Sequence, residues 1–243
     1  MKKLLFLFLA FPVMASANES GVHLDKAPIN LNNHESLQRG ARVFVNYCLT
    51  CHGANYMRYN RMQDFGLTEA EIKDNLLFAS DKPGDTMHVA MRPQEAKVWF
   101  GAAPPDLSVI ARSRGPDWIY TYLRSFYRDD SRPTGWNNTV FDKVGMPHVL
   151  QELQGQMAPV YHTMQGEDGK PHQAIERFEL IKPGKLTLPE YDALVGDLVN
   201  YLDWMGEPAK GARMTTGLFV LLFLGVFFII AFYLKKEFWK DLH

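Results

Sequence analysis

The residues best suited to chemistry are Cys48, Cys51 and His52, which form a Cys-x-x-Cys-His motif. This spacing is typical of covalent attachment of a c-type haem. Positions i and i+3 of a helical turn lie on one face, so both sulfurs can reach the two vinyl groups on one porphyrin edge. The next residue then places its imidazole beneath the ring. The motif predicts two thioether bonds and His52 as the proximal iron ligand.

A Cys-x-x-Cys pair also occurs in redox disulfides and as half of a zinc site. The chain has 2 cysteines, so a zinc site with four thiolates is excluded. A thioredoxin-like motif lies near a βαβ pattern, and the sequence shows no such pattern. Because both cysteines belong to the motif, no disulfide framework is left to hold the fold.

A haem that only carries electrons needs a ligand on each face of the iron, and a methionine thioether raises the reduction potential. Of the 11 methionines, those in the leader, beside the haem motif, before the Pro-Pro turn or near the membrane are poorly placed. Met146, Met157 and Met164 remain as distal candidates. Met146 is the first choice because Gly145 and Pro147 stiffen its backbone. Met157 stays open as the alternative, since any single methionine also serves as a flexible core filler.

Bulk properties narrow the class of protein. The chain has 243 residues and a formal net charge of −1, and its mean hydropathy is −0.20. This charge balance gives no indication of nucleic-acid binding. The length between two apolar ends allows one sizeable domain with its own core. The sequence shows no catalytic triad, phosphate-binding loop or second metal cluster, so no catalytic residues are assigned.

The N-terminal residues 1–17 have the three parts of a secretory signal peptide. Lys2 and Lys3 precede a short apolar run, and Ala15-Ser16-Ala17 gives a small-x-small cleavage pattern. An uncleaved anchor is the alternative. Cleavage predicts a mature chain that begins near Asn18 and is exported, and c-type haem is attached on the outer side of the bacterial inner membrane.

A second apolar segment, Thr215 to Leu234, has 20 residues without a charge. As a helix it is about 30 Å long, the thickness of a bilayer core. Lysines and the aromatic pair Phe238 and Trp239 follow it, as at a membrane interface. We predict a periplasmic domain at 18–212, a transmembrane helix at 215–234 and a cytoplasmic tail at 235–243. A buried core helix is the alternative.

Several helices are predicted to position the motif. Asn33 is expected to cap a helix that carries Leu37, Ala41, Phe44 and Cys48. Capping boxes predict a helix from Thr68 to about Ala79 and a longer one after Thr187 that ends at Gly206. Gly115-Pro116 begins a further helix with an aromatic stripe that includes Trp118 and Phe126. Residues 128–145 and 167–183 are predicted to be rich in loops and turns.

These motifs together resemble the cytochrome c1 family, the c-type haem subunits of quinol–cytochrome c reductase (bc1) complexes. The resemblance rests on Cys-Leu-Thr-Cys-His-Gly with Tyr56 and Tyr59, and on Ala-Pro-Pro-Asp-Leu-Ser-Val-Ile-Ala-Arg-Ser-Arg at 103–114. It also includes Gly-Glu-Pro at 206–208 and the single C-terminal anchor. The stretch 138–141, Asn-Thr-Val-Phe, and the Met-x-x-x-Leu pattern at 146–150 match the family's axial-methionine region, although Met157-Ala158-Pro159 also resembles it in some members.

The resemblance implies a mainly α, class I c-type cytochrome domain with loop insertions, one C-terminal transmembrane helix and one covalent haem c. It implies that the helix before the motif crosses the last soluble helix. It also implies that Arg114, or alternatively Arg112, pairs with a haem propionate, which suits the two parallel hydrogen bonds of a guanidinium. Pro105 is expected near the haem edge.

The family further implies a one-electron relay that takes electrons from a Rieske iron–sulfur protein and passes them to a c-type cytochrome, with cytochrome b as a partner in a dimeric complex. The chain would be a redox subunit of an oxidoreductase, without catalysis of its own. The alternatives are a freestanding anchored cytochrome shuttle and a haem enzyme or gas sensor with an open sixth position.

Overall fold

The computed structural model describes residues 22–89, 91–165 and 171–240. Helices account for most of the ordered structure in these ranges, which confirms the mainly α fold class. The α-helices are α1 His34–Val43, α2 Glu69–Asn75, α3 Pro93–Phe100, α4 Ile110–Arg114, α5 Pro116–Arg124, α6 Gln151–Gln154, α7 Leu188–Gly206 and α8 Lys210–Phe238.

Within the described ranges, the strands form three antiparallel sheets of two strands each. The strands are β1 Ala54–Arg58, β2 Thr86–Met87, β3 Phe126–Arg128, β4 Trp136–Asn138, β5 Gly155–Gln165 and β6 Pro171–Pro183. Strands β1 and β2 pair Ala54 with Met87 and Arg58 with Thr86, and the register shifts between these two pairs. Strands β5 and β6 form a long hairpin that is bulged after Gln156 and after Val160.

The core is organised around the crossing of α1 and α7. A Cβ on Gly40 would lie 2.1 Å from the carbonyl oxygen of Asp197, so the two backbones meet where only glycine fits. Arg39 donates two hydrogen bonds to Asp197, at 2.6 and 3.0 Å. The ring of Phe44 packs 5.6 Å from that of Tyr201. The helix before the haem motif therefore crosses the last soluble helix, as the family resemblance implies.

Helix α7 begins as the sequence predicts. Thr187 and Glu190 form a reciprocal capping box, and a proline occupies the first turn. Most residues of its second half are buried, which makes α7 the central helix of the core. The extended segment 25–30 lies across α5 and α7, because Asp25 N donates to Thr121 Oγ1 and Asn30 N donates to Asn200 Oδ1.

The structure corrects several element predictions. The helix after Thr68 ends at Asn75 rather than near Ala79, and Phe126 lies on β3 instead of continuing α5. The largest error concerns the 167–183 segment, most of which was expected to be turns. From Pro171 onward it forms β6, and it pairs with β5, which carries Met157.

The C-terminal helix α8 contains the whole 215–234 segment. Its 29 residues are long and apolar enough to cross a membrane, and its hydrophobic window is not buried against the rest of the chain. A buried core helix is therefore excluded. The predicted signal peptide at 1–17 lies outside the described residues.

Candidate haem site

The haem motif follows α1 through an expanded turn. Residues Phe44–Cys48 form a π-helical turn, in which Leu49 N donates to Phe44 O at 3.0 Å. Cys51 N and His52 N then both donate to the carbonyl oxygen of Cys48, at 3.1 and 2.8 Å. The motif is thus folded tightly at the end of a helix that is fixed to the core.

The two cysteines are half-buried and are not joined in a disulfide. Burial raises the pKa of Cys48 to about 12, with a smaller contribution from nearby Cys51. Burial also raises the pKa of Cys51. Reactive redox thiols have lowered pKa values, so this pair lacks the electrostatics of a thioredoxin-like motif.

The His52 imidazole is held in one orientation. Its Nδ1 lies 2.8 Å from the carbonyl oxygen of Pro105. A carbonyl only accepts, so Nδ1 carries the proton and Nε2 keeps the lone pair that a metal needs. Burial lowers the pKa of His52, although the Pro105 carbonyl acts in the opposite direction. The neutral form is favoured, and this is the form that binds iron.

The loop that carries Pro105 is itself fixed to the residues after the motif. Asp106 Oδ2 accepts from Asn55 N, and Asp106 Oδ1 accepts from Ser108 N, both at 2.8 Å. Leu107 N donates to Gly53 O at 2.8 Å. Sequence reasoning placed Pro105 near the haem edge but missed Asp106, whose carboxylate ties the two segments together.

Met146 lies at the end of a loop shaped by two buried asparagines. Asn138 Oδ1 accepts from Val140 N and Phe141 N, at 2.9 and 3.2 Å. Asn137 Oδ1 accepts from Lys143 N at 2.9 Å. A Cβ on Gly145 would lie 2.8 Å from Phe100 O, so glycine is required there. The sequence before Met146 therefore dictates where its sulfur lies.

The Met146 side chain packs beside the aromatic residues Phe126 and Trp136. Tyr122 Oη donates to Met146 Sδ at 3.4 Å, and the Tyr122 ring stacks on Trp118 at 4.9 Å. Tyr122 also contacts the main core, to which Cys48 belongs. The Met146 loop and the haem motif are therefore attached to the same core.

The other methionine candidates lie on the β5–β6 hairpin. Met157 pairs with Leu180 in the ladder, and Met164 lies near the hairpin's tip, 46% exposed. Met164 is therefore poorly shielded from water, whereas Met146 and Met157 are both half-buried.

His148 is a buried residue two positions after Met146. It is 2% exposed, and its ring stacks on Phe126 at 4.9 Å. Burial lowers the pKa of His148 to about 4, against a smaller opposing effect of Gln154. The neutral ring is therefore part of the packing behind Met146. Its Met-Pro-His context carried no signal of burial.

Arg112 and Arg114 lie on α4 but have different surroundings. The Arg114 guanidinium lies 5.3 Å from the centroid of the Trp118 ring, beside the Trp118–Tyr122 stack. The stem of Arg112 instead passes Gly206 at the end of α7, where an added Cβ would lie 3.2 Å from Arg112 Cγ. Arg114 is thus nearer the aromatic cluster that supports Met146.

The donor set fits a covalently attached haem. It consists of two adjacent thiols, a neutral imidazole with its Nε2 available, and a thioether on a separate loop. No group of three or more His, Cys, Asp or Glu side chains that could hold a metal ion occurs within 22–89, 91–165 and 171–240. The fold and this site define a membrane-anchored c-type haem protein.

Comparison with known proteins supports the same class. The cytochrome C1 family model matches residues 25–174 and 186–242. Cytochrome c1 of Allochromatium vinosum is 49% identical over 247 residues, covering all of both chains. A Nitrosomonas europaea protein named ammonia monooxygenase gamma subunit is 50% identical over 242 residues, covering all of this chain and 98% of the relative. Cytochrome c1 of Rhodospirillum rubrum is 31% identical, covering 97% of this chain and 94% of the relative.

The chain belongs to the cytochrome c1 family. It is a membrane-anchored electron-transfer protein that carries one covalently bound haem c and functions as the haem subunit of a bc1 complex in a respiratory chain. The predictions of family, fold class, cofactor and electron-transfer function are confirmed.

Proposed function

We propose that Cys48 and Cys51 form the thioether bonds to the haem, with His52 and Met146 as the two axial ligands. The observation that carries this proposal is the contact of 2.8 Å between His52 Nδ1 and Pro105 O. It leaves the lone pair of Nε2 available to bind the iron. When bound, the haem supplies a one-electron couple. The residues hold it in place and set its potential, because neither a proton nor a covalent bond is exchanged with a substrate.

Each proposed ligand is oriented by a second residue. Pro105 fixes the His52 tautomer and raises the basicity of its imidazole, as metal-bound histidines generally require. Tyr122 contacts the Met146 sulfur, and Asn138 shapes the loop that precedes it. Arg114 is proposed to pair with a propionate in the two parallel hydrogen bonds that a guanidinium favours.

We further propose that the chain takes electrons from a Rieske iron–sulfur protein and passes them to a c-type cytochrome. Cytochrome b is the proposed membrane partner, and the whole assembly is proposed to be dimeric, as the family resemblance implies. The signal-like segment 1–17 and the single span at 215–234 support a haem domain on the periplasmic side of a bacterial inner membrane. They also support a cytoplasmic C-terminus.

The ligand assignment is tested by replacing Met146 with leucine and recording the near-infrared band that reports iron–sulfur bonding. We expect the band to disappear and the reduction potential to fall, because the soft thioether that favours ferrous iron is lost. Met157→Leu is the matched control and should keep the band. An intact band in Met146→Leu, with a lost band in Met157→Leu, would transfer the role to Met157.

A further inference from the structure

A pocket of about 500 Å³ lies where the haem domain meets the start of α8. Its walls come from the extended N-terminal segment, the corner between α4 and α5, and the junction of α7 with α8. None of Cys48, Cys51, His52 and Met146 lines it. The pocket is therefore distinct from the haem site.

The pocket contains charged side chains of both signs, three of each. They are Lys26, Arg112 and Lys210, and Asp117, Asp203 and Glu207. The acids are held in position by the chain, since Asp117 Oδ1 accepts from Ala27 N at 2.8 Å and Glu207 contacts Arg213 at 2.8 Å. Asp203 is 7% exposed and lies 3.2 Å from the Lys210 ammonium.

The pocket also lies at a defined depth relative to the membrane. Lys210 precedes Thr215, the first residue of the uncharged segment, by five helical residues. At 1.5 Å per residue this places Lys210 about 7.5 Å from the hydrocarbon boundary. The polar layer on each side of a bilayer is about 5–8 Å thick. The pocket is thus level with the phospholipid headgroups.

We propose that this pocket binds the headgroup of a phosphatidylethanolamine molecule. Lys26 and Arg112 bind the phosphate, for which a guanidinium is well suited. Asp117 and Glu207 accept hydrogen bonds from the primary ammonium. A lipid without net charge matches three cations and three carboxylates, whereas phosphatidylglycerol has no ammonium and the trimethylated ammonium of phosphatidylcholine has no N–H to donate.

The proposal also separates the roles of the two α4 arginines. The Arg112 stem lies against Gly206 at the pocket, whereas Arg114 lies beside Trp118. Arg112 therefore binds the lipid phosphate, and Arg114 is the arginine assigned to the haem propionate. The lipid would tie the N-terminal segment, α4 and the α7–α8 junction together at the membrane surface.

Lipid titration of the full-length, haem-loaded chain tests the proposal by native mass spectrometry in detergent. Dioleoyl-phosphatidylethanolamine, -phosphatidylcholine and -phosphatidylglycerol are compared at equal concentration. We expect one phosphatidylethanolamine per chain, retained about fivefold better than either other lipid, as two lost charge-assisted hydrogen bonds at an exposed site imply. Soluble glycerophosphoethanolamine at the same concentration should not displace it.

Two variants locate the site. Lys26→Gln should lower retention of phosphatidylethanolamine about twofold, because it removes one charged partner. Glu207→Gln should likewise reduce the advantage of phosphatidylethanolamine over phosphatidylcholine. Lys97→Gln, an exposed lysine of α3 outside the pocket, is the control and should bind like the wild type. Unchanged haem absorption confirms that the variants are folded.

Three outcomes would overturn the proposal. Equal retention of the three lipids by the wild type would show that the pocket does not distinguish between headgroups. Equal behaviour of Lys26→Gln and Lys97→Gln would place the lipid elsewhere. Displacement by glycerophosphoethanolamine would indicate a site for a soluble phosphodiester instead of a membrane lipid.

Discussion

At the scale of single residues, the site depends on contacts between segments far apart in sequence. His52 and Pro105 are 53 positions apart, yet the carbonyl of Pro105 fixes the imidazole. Asp106 holds that carbonyl in place by accepting from two backbone N–H groups. The orientation of the proposed proximal ligand is therefore set by the Pro-Pro-Asp loop as much as by the haem motif.

Asp106→Asn should raise the reduction potential of the haem by about 20–60 mV. The amide keeps only one acceptor oxygen, so the loop loosens, His52 donates less electron density and a negative charge is lost. A typical hydrogen bond contributes about 0.5–1.5 kcal/mol, and for a one-electron couple that free energy corresponds to about 20–60 mV. Redox titration measures the shift.

Asp130→Asn is the matched control, because that carboxylate pairs with Arg128 in an exposed turn. Its potential should stay within a few millivolts of the wild type. A potential in Asp106→Asn that does not rise would contradict the positioning role.

At the scale of elements, the helix signals in the sequence were reliable. The Thr68 and Thr187 capping boxes both form, and Pro116 begins α5. These signals are local, since each joins residues within one turn of helix. The length of α2 was overestimated because Leu76 and Leu77 suited a helix but pack against the core after it has ended.

The β5–β6 hairpin was not predicted from the sequence, and the reason is physical. Strand β5 has no fully buried side chain after Gly155, and much of β6 is exposed. A strand that buries neither face lacks the alternation of apolar and polar residues that reveals half-buried strands. The charges and turn residues of 167–183 also favoured a loop. The structure of this region is determined by cross-strand pairing, which is not a local property of the sequence.

Gly40→Ala should destabilise the domain by about 1–3 kcal/mol, the usual cost of overpacking a core. The added Cβ would lie 2.1 Å from Asp197 O, so α1 and α7 would have to separate. Thermal unfolding followed by circular dichroism measures the loss. Gly211→Ala, where nothing lies within 4 Å of the added Cβ, should not destabilise; equal effects of both substitutions would contradict a close crossing.

The capping box of α7 predicts a dependence on pH. Hydrogen bonds from Thr187, mainly from its backbone N–H, lower the pKa of Glu190 below its ordinary value of 4.5. A lowered folded-state pKa contributes stability that is present above the unfolded pKa and is lost as the pH falls through the folded pKa.

Wild type should therefore be more stable than Glu190→Gln at about pH 6, and the difference should shrink towards about pH 3. Chemical unfolding at both pH values measures it. Thr187→Val removes only the hydroxyl donor and keeps the backbone N–H, so it should lessen the dependence in part. A difference that is constant with pH would show that the carboxylate charge does not matter.

At the scale of the whole molecule, the haem domain and α8 make few contacts. The ion pairs Asp203–Lys210 and Glu207–Arg213 join them, and the apolar window of α8 lies outside the domain core. Composition predicts a division into a domain at 18–212 and a span at 215–234, and this division stays a prediction. The pocket at their junction could not be predicted, since its residues come from three separated segments.

Truncation after Ala212 should release a soluble haem domain with the same absorption spectrum and an unfolding midpoint within a few degrees of the full chain. Of these two ion pairs it removes only Glu207–Arg213, whose arginine is exposed, and such pairs contribute little. Fractionation and thermal melts of both forms measure this. A truncated chain that loses haem or aggregates would show that α8 supports the domain.

The π-helical turn Phe44–Cys48 has a consequence for insertions and deletions in this chain. A π turn holds one residue more than an α turn. The turn therefore accommodates one extra residue with little rotation, whereas adding or deleting one residue within α1 would rotate everything beyond it by about 100° around the helix axis. His52 would then face away from Pro105 even though every haem-binding side chain was still present. The number of residues between Gly40 and the haem motif therefore fixes the direction in which His52 faces.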